Sequence, residues 1–432
     1  MGALGAAAAF AADLRLRLPA QLTFSGTFAL DGITTWTTLA ILASTALVIG
    51  LSPRWFATDR RHGEWYAVLL FGALGATLLA GAADLMELMV AMLLTTVAGY
   101  TQASYHRASS RCAEAGAKLY FLGALANPLM FTGIVLLYGA GGTTVYRDLG
   151  PALTGADPIA VGAGAALVLV GLLFELGAAP VHPWVPDVAE ASPAPAAAFL
   201  TVAPKVAALV AIARLCSILP ADAIAWRPAV AALAALTMTL GNLAALWQDD
   251  VRRLLGWSSV SQAGYGLMAV VALGRSTHAL PALVVFVAGY ALANTAAFAV
   301  VVALRGRTSL SDYRGLGRRR PWLAAALAVA LLSLVGIPPL VGFPAKLLLF
   351  GATIEAGYAW LAVLAVVNTV ISVFYYVRVI GPMVLARPPE RAPLLGRLAP
   401  ATALFAAAAT LAAGLSVDLL VRAAAASRRL PG

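Results

Sequence analysis

Charged residues are scarce in this chain. Asp, Glu, Lys and Arg together make up 11% of its 432 residues, whereas soluble domains hold roughly 25%. Apolar residues make up 61%, against roughly 45–50% in a soluble domain. This composition excludes an ordinary soluble globular protein and predicts a chain that lies in a lipid bilayer.

Cysteine is almost absent, since the chain holds only Cys112 and Cys216. Their spacing fits no metal or redox motif, so they predict neither a disulfide nor an iron–sulfur cluster. The sequence also lacks a glycine-rich phosphate loop between a strand and a helix. We therefore expect no nucleotide, metal or redox cofactor in this chain.

Long apolar runs dominate the sequence, and twelve of them can cross a hydrocarbon core, which takes about 17–25 helical residues. They are too uniformly apolar for barrel strands, which alternate polar and apolar positions. We therefore predict an all-α polytopic membrane protein with about 12 transmembrane helices. The runs lie near 29–52, 64–83, 85–104, 116–138, 158–180, 192–219, 228–247, 254–273, 279–304, 321–353, 357–385 and 396–422.

The start of the chain does not match a signal peptide. The apolar stretch Ala6 to Ala12 is too short to span, and its basic residues, beginning with Arg15, follow it instead of preceding it. We expect residues 1–28 to form an ordered or interfacial tail that is not cleaved.

The net charge of +10 reflects arginines in the loops between the apolar runs. Most of them fall in loops on one side of the twelve-helix arrangement, while the connecting loops on the other side hold only Arg147, Arg227 and Arg275. The positive-inside rule then places the arginine-rich loops in the cytoplasm and both termini outside. No nucleic-acid partner is expected.

Two glycine- and proline-rich interruptions fall inside apolar runs, at Gly177 to Trp184 and at Gly336 to Lys346. Broken helices in corresponding halves are typical of transporters built from inverted repeats. We expect five residues to shape these breaks without taking part in chemistry: Pro183, Pro186, Gly336, Pro338 and Gly342. Simple proline kinks remain the alternative.

The predicted organisation therefore has five parts. They are a tail over 1–28, a peripheral transmembrane helix over 29–52, two five-helix repeats over 64–219 and 228–385, and a C-terminal transmembrane helix with its tail over 396–432.

The segment Phe174 to Lys205 places the carboxylate of Glu175, the imidazole of His182 and the ammonium of Lys205 in apolar helices. Ionisable residues inside a membrane are usually functional. An apolar environment favours a neutral amine, so such a lysine could take up and release a proton, and a histidine suits a relay. The alternatives are a lysine that snorkels or stays paired, and a histidine that is only structural.

Five segments carry a resemblance to a known family. They are Ala113 to Phe121, Phe174 to Lys205, Gly241 to Val270, Asp312 to Phe350 and Val373 to Val379. They resemble the antiporter-like membrane subunits of proton-pumping NADH-quinone oxidoreductase, most closely subunit N. The sequence RLLGWSSVSQAGY is similar across all antiporter-like subunits, whereas SPAPAAAFL and DYRGLGRRRP are similar to subunit N in particular.

This resemblance implies two inverted five-helix repeats, each with a discontinuous helix, and a row of buried charged residues that relays protons. Lys118, His182, Lys205 and Lys346 match the family's relay positions. For Lys118 and Lys346 the alternative is a charge at a helix end near lipid headgroups. The resemblance also implies that NADH, FMN, iron–sulfur clusters and quinone act in other subunits, and that the partners are antiporter-like subunits in a bacterial inner membrane.

The chain departs from the family at an expected glutamate–lysine pair. Leu93 stands at the glutamate position and Glu175 at the lysine position, and Glu87 lies on another side of the same helix as Leu93. Full-length family members also have about two more N-terminal helices than this chain. Glu175 is left with Lys205 as its expected partner, either for proton transfer or as a structural salt bridge.

We therefore predict a proton-translocating membrane subunit of an NADH-quinone oxidoreductase, with a relay formed by Glu175, Lys205, His182, Lys118 and Lys346. One alternative is a cation/proton antiporter subunit. The other is a membrane scaffold that no longer conducts protons, which the residues at positions 93 and 175 favour.

Overall fold

The computed structural model describes residues 20–387 and 396–426. Residues 1–19, including the apolar stretch Ala6 to Ala12, lie outside the described part, as do 388–395 and 427–432.

A short hairpin precedes the first long helix. Strand β1 (Gln21–Thr23) pairs antiparallel with β2 (Phe28–Leu30), with a 3-10 turn at Phe24–Gly26 between them. The Phe28 ring packs over Gly81, where an added Cβ would lie 2.2 Å from a ring carbon. The Phe28 ring of the hairpin therefore occupies space that a side chain at Gly81 would fill, at the end of a transmembrane helix.

The first half of the chain is helical from residue 32 onward, and the long helices are joined by short loops. Its helices are α1 (Gly32–Trp55), α2 (His62–Gly81), α3 (Leu85–Ala103), α4 (Ser110–Gly141), α5 (Tyr146–Leu153), α6 (Pro158–Leu176), α7 (Trp184–Ala191), α8 (Ala194–Leu200) and α9 (Ala203–Ile218).

The second half has the same character, with a 3-10 turn at Leu310–Tyr313. Its helices are α10 (Trp226–Leu246), α11 (Val251–Ala272), α12 (Ala279–Ala303), α13 (Leu316–Arg319), α14 (Pro321–Val335), α15 (Gly342–Glu355), α16 (Ala359–Leu385), α17 (Leu398–Leu415) and α18 (Val417–Ala426). Helix α12 is buried along nearly its whole length, so it lies at the centre of the molecule.

The predicted fold class is confirmed. In the described part of the chain, ten helical segments are long and apolar enough to cross a membrane. The two further predicted spans correspond to the more polar helix α11 and to the broken pair α14 and α15. The polarity of α11 comes from Ser, Gln, Tyr and Arg side chains that are buried against other helices and do not face lipid.

Matching features stand at matching places in the two halves. Asp84 caps α3 by accepting hydrogen bonds from two backbone N–H groups, and its backbone pairs with Val145, which follows α4. Asp250 caps α11 by accepting a hydrogen bond from the backbone N–H of Arg253, and its backbone pairs with Ser309, which follows α12. These equivalent junctions support an internal repeat.

Each half contains a discontinuous helix. Helix α6 ends at Gly177 with φ of 68°, and α14 ends at Gly336 with φ of 96°, left-handed conformations that favour glycine. Pro183 stands just before α7 and Pro186 lies in its first turn, while Pro338 lies in the second break and Gly342 begins α15. The Gly177 to Trp184 and Gly336 to Lys346 segments are thus true breaks, not kinks.

The predicted span 192–219 is not one continuous helix. It is divided at Thr201 and Val202 into α8 and α9. Pro204, in the first turn of α9, has no N–H to donate to the preceding turn. Asn294 of α12 donates to the Thr201 hydroxyl at 2.8 Å, and Tyr290 donates to the Thr201 carbonyl, so both of these groups have partners at the division.

Candidate functional site

Glu175 lies in the last turn of α6 and is only 4% exposed. The Thr95 and Tyr100 side chains of α3 lie close enough to act on its carboxyl group, while the Thr95 hydroxyl donates its own hydrogen bond to the Met92 carbonyl at 2.9 Å. The groups nearest to the Glu175 carboxyl group on α3 are thus neutral hydroxyls.

Lys205 lies in the first turn of α9 and is 2% exposed. Its Nζ has no hydrogen-bond partner among the described residues and lies 5.8 Å from the centre of the Trp184 ring. A Cβ added at Gly177 would lie 2.7 Å from this Nζ, so the ammonium sits against the C-terminal end of α6. The partial negative charge at a helix C-terminus favours a cation there.

The expected direct Glu175–Lys205 ion pair is not formed: in the described part of the chain these two side chains are not joined within 4.0 Å. Glu175 turns toward α3, whereas Lys205 reaches Gly177 and Trp184 from α9. The two charges still act on each other electrostatically. Glu175 and Lys205 are therefore neighbouring charged residues that do not form a salt bridge.

Lys346 lies in the first turns of α15 and is also buried, at 4% exposed. Its Nζ donates to the carbonyl oxygen of Val335, the last residue of α14, at 2.8 Å. It also lies 4.2 Å from the centre of the Tyr265 ring of α11. Like Lys205, it occupies the C-terminal end of the first half of a broken helix.

Two small cavities lie between Lys205 and Lys346. One is lined by Lys205 with Ser259, and the other by Lys346 with Ser333. Gln262 and Tyr290 line both, so the cavities share a wall, and each has room for about one water molecule. Gln262 and Tyr290 thus lie beside both lysines, while the surface of the cavity at Lys205 is apolar.

His182 lies in the first break, half-buried, with its ring 5.5 Å from the ring of Trp257. Its Nδ1 is buried and has no hydrogen-bond partner in the part of the chain that the structure describes. A buried unpaired ring nitrogen can hold or pass a proton, so the relay role of His182 stays a prediction.

Lys118 does not join this buried row. Its side chain is 46% exposed and forms ion pairs of 2.8 Å with Glu114 and with Asp187 of α7. Asp187 also pairs with Arg253 of α11 at 2.5 Å. Lys118 therefore belongs to a surface ionic cluster that joins α7 to α4 and α11. This position agrees with the alternative given for Lys118, a charge at a helix end near lipid headgroups.

Sequence reasoning missed the polar residues of α11. Ser258, Ser259, Gln262 and Tyr265 follow one another at helical spacing on one side of this helix, and all are buried. They lie inside the segment RLLGWSSVSQAGY, and their helical spacing could have identified them from the sequence. The buried Arg252, which donates to the carbonyls of Ala189 and Ser192, was missed as well, and it caps the C-terminal end of α7.

Leu93 is 40% exposed on the outer surface of α3. It therefore lies apart from Glu175, and Thr95, two residues further along the helix, takes the position that contacts the carboxyl group. Within residues 20–387 and 396–426, the structure brings no three His, Cys, Asp or Glu side chains together as a metal site.

Comparison with known proteins agrees with this architecture. The profile of the family described as "NADH:quinone oxidoreductase/Mrp antiporter, TM" matches residues 82–372. NADH-quinone oxidoreductase subunit N of Mycobacterium sp. (strain JLS) is 47% identical over 372 residues, 86% of this chain and 79% of the relative. Subunit N 1 of Streptomyces griseus is 44% identical over 420 residues, 96% of this chain and 88% of the relative.

Among solved structures, a chain of respiratory complex I from Thermus thermophilus with bound aureothin superposes with a TM-score of 0.82 at 32% identity, covering 98% of this chain and 93% of that one. The chain therefore belongs to the NADH:quinone oxidoreductase/Mrp antiporter family of membrane subunits, in its NADH-quinone oxidoreductase subunit N branch.

Proposed function

We propose that this chain is the proton-translocating membrane subunit of an NADH-quinone oxidoreductase. The observation that carries the proposal is the buried row of Glu175, Lys205 and Lys346 in a largely apolar helix bundle, in which Gln262 and Tyr290 border the cavities of both lysines. Keeping three charges out of water is costly, and in membrane proteins such residues mark ion and proton pathways.

In this proposal a proton moves between Lys205 and Lys346 through the two cavities. The side chains of Ser259 and Gln262 can donate and accept hydrogen bonds along the way. Both lysines rest on helix C-termini, which stabilise the ammonium form without a permanent carboxylate partner. An ammonium that has no fixed ion pair can release its proton when its surroundings change.

Glu175 is proposed to set the charge of this row from the α3 side. When it is ionised, its field favours the ammonium form of Lys205. When it is protonated, that support disappears. Protonation of Glu175 and release of a proton from Lys205 would then be coupled without direct contact.

The remaining assignments belong to the same proposal. The redox cofactors NADH, FMN, iron–sulfur clusters and quinone act in other subunits, and antiporter-like membrane subunits are the partners. The chain lies in a bacterial inner membrane with its arginine-rich loops in the cytoplasm and both termini outside. The two repeats cover 64–219 and 228–385, as the matching Asp84 and Asp250 junctions suggest.

A non-conducting scaffold is the second candidate. It is favoured by the lack of any cation in contact with Glu175 among the described residues, and by the outward position of Leu93. In a scaffold the charged row would be a remnant, and its neutralisation would change packing but not pumping.

Glu175→Gln separates the two candidates. Gln keeps the shape of the side chain but cannot ionise, so we expect NADH-driven proton pumping in membrane vesicles to fall about fivefold or more, equivalent to about 1 kcal/mol of barrier. NADH:quinone electron transfer and assembly of the complex should be checked in the same vesicles.

Glu114→Gln is the matched control, because Glu114 is an exposed carboxylate whose ion-pair partner among the described residues is Lys118. It should pump as the wild type does. Unchanged pumping in Glu175→Gln, with assembly intact, would favour the scaffold.

A further inference from the structure

Lys346 is a buried ammonium without a carboxylate beside it. In the described part of the chain it forms no ion pair, and its polar contact is the Val335 carbonyl at 2.8 Å. The face of the Tyr265 ring lies 4.2 Å from its Nζ. One carbonyl oxygen leaves most of the charge of an ammonium uncompensated, so the aromatic face is the second source of negative potential.

The Tyr265 ring is fixed from its far end. Its hydroxyl group lies 3.2 Å from the Ala365 carbonyl and 3.1 Å from the Thr369 hydroxyl, both on α16. Tyr265 itself is fully buried. These contacts hold the ring so that its face, and not its edge, is presented to Lys346.

A wider network supports this placement. Asn242 of α10 lies near the Tyr265 hydroxyl and accepts a hydrogen bond from Tyr375 of α16 at 3.0 Å. Asn242 also donates to the Asn368 side chain at 3.0 Å. Tyr375 belongs to the VFYYVRV segment, which the proton row does not use, and its contacts give that segment a role in holding α10, α11 and α16 together.

We propose that the Tyr265 ring acts as the counter-charge of Lys346, holding its ammonium form by a cation–π contact in place of a carboxylate. An ammonium over an aromatic face in a dry site is stabilised more strongly than at a surface. A ring is also neutral, so it cannot trap the proton carrier in a permanent ion pair. The inference rests on the proposed function, since it takes Lys346 to be a proton carrier.

Two substitutions test the ring. Tyr265→Phe keeps the aromatic face and loses only the hydroxyl contacts, whereas Tyr265→Leu fills a similar space without a π system. We expect Tyr265→Phe to retain most NADH-driven proton pumping and Tyr265→Leu to lose about tenfold, the effect of about 1.4 kcal/mol. Electron transfer and assembly are measured in parallel.

A graded series distinguishes a cation–π contact from packing. Phenylalanines bearing one, two or three ring fluorines, inserted at position 265, keep the shape of the ring while they weaken its negative face. Pumping should fall stepwise with each fluorine. A flat series, or equal losses in Tyr265→Phe and Tyr265→Leu, would overturn the inference.

Lys346→Ala keeps the failure of this inference separate from failure of the proposed function. If Lys346→Ala pumps normally, Lys346 carries no proton and the proposed function loses this part of its row. If Lys346→Ala loses pumping while the fluorine series stays flat, the row holds and only the role of the ring is wrong.

Discussion

Replacing Lys205 by alanine is expected to reduce proton pumping about a hundredfold or more, because a positioned proton-transfer group contributes about 10²–10⁴-fold. Lys205 is 2% exposed, has no hydrogen-bond partner among the described residues and lines the cavity that leads toward Lys346. Alanine removes both the charge and the exchangeable proton. The measurement is proton uptake by inside-out vesicles during NADH oxidation, divided by the rate of electron transfer.

Lys118→Ala is the control for Lys205→Ala, because the same residue type is removed from an exposed ionic cluster. Surface ion pairs contribute about 0–1 kcal/mol, so this variant should pump nearly as the wild type does. Equal losses in both variants would mean that any missing lysine harms the complex, and the central role of Lys205 would be wrong. Normal pumping in Lys205→Ala with an assembled complex would contradict the relay itself.

The breaks in the transmembrane helices could be predicted from sequence because they depend on backbone chemistry. Gly177 and Gly336 adopt positive φ values that side-chain-bearing residues rarely adopt, and neighbouring prolines cannot donate an N–H to the helix. The division at Thr201 carried a weaker signal. It depends on Pro204 together with hydrogen bonds from α12, which lies about ninety residues away in the chain.

The pairing of charges could not be predicted in the same way. The sequence pairs Glu175 with Lys205 because Leu93 at the family's glutamate position leaves Glu175 without another expected partner. The direction of a side chain depends on the helix it faces, and Glu175 faces Thr95 of α3. Lys118 shows the same limit, since only the fold reveals that it reaches Asp187 at the surface.

The polar face of α11 could be predicted from the sequence only in part. Ser259, Gln262 and Tyr265 have helical spacing and occur in an apolar setting, so the sequence shows that one side of α11 is special. It does not show that Gln262 borders the cavities of both lysines or that Tyr265 lies beneath Lys346. These contacts join residues of α9, α11 and α15, which are distant from one another in the chain.

Gly342→Ala is expected to destabilise the second broken helix strongly. A Cβ at Gly342 would lie 1.7 Å from the backbone oxygen of Ser333 in α14, and backbone cannot move away as a flexible side chain can. Overpacking costs about 1–3 kcal/mol and occasionally more, and here it would push α14 and α15 apart. The Lys346–Val335 contact crosses that same junction, so pumping should fall together with stability.

Gly351→Ala is the matched control, because Gly351 lies in the same helix α15 and no atom lies within 4 Å of its added Cβ. Alanine favours a helix interior over glycine by about 1 kcal/mol, so this variant should be as stable as the wild type or slightly more so. The measurement is the thermal unfolding midpoint of the solubilised complex, with proton pumping in vesicles. Equal midpoints for the two variants would show that the junction of α14 and α15 yields to an added methyl group, and the tight break would then not be what holds Lys346 in place.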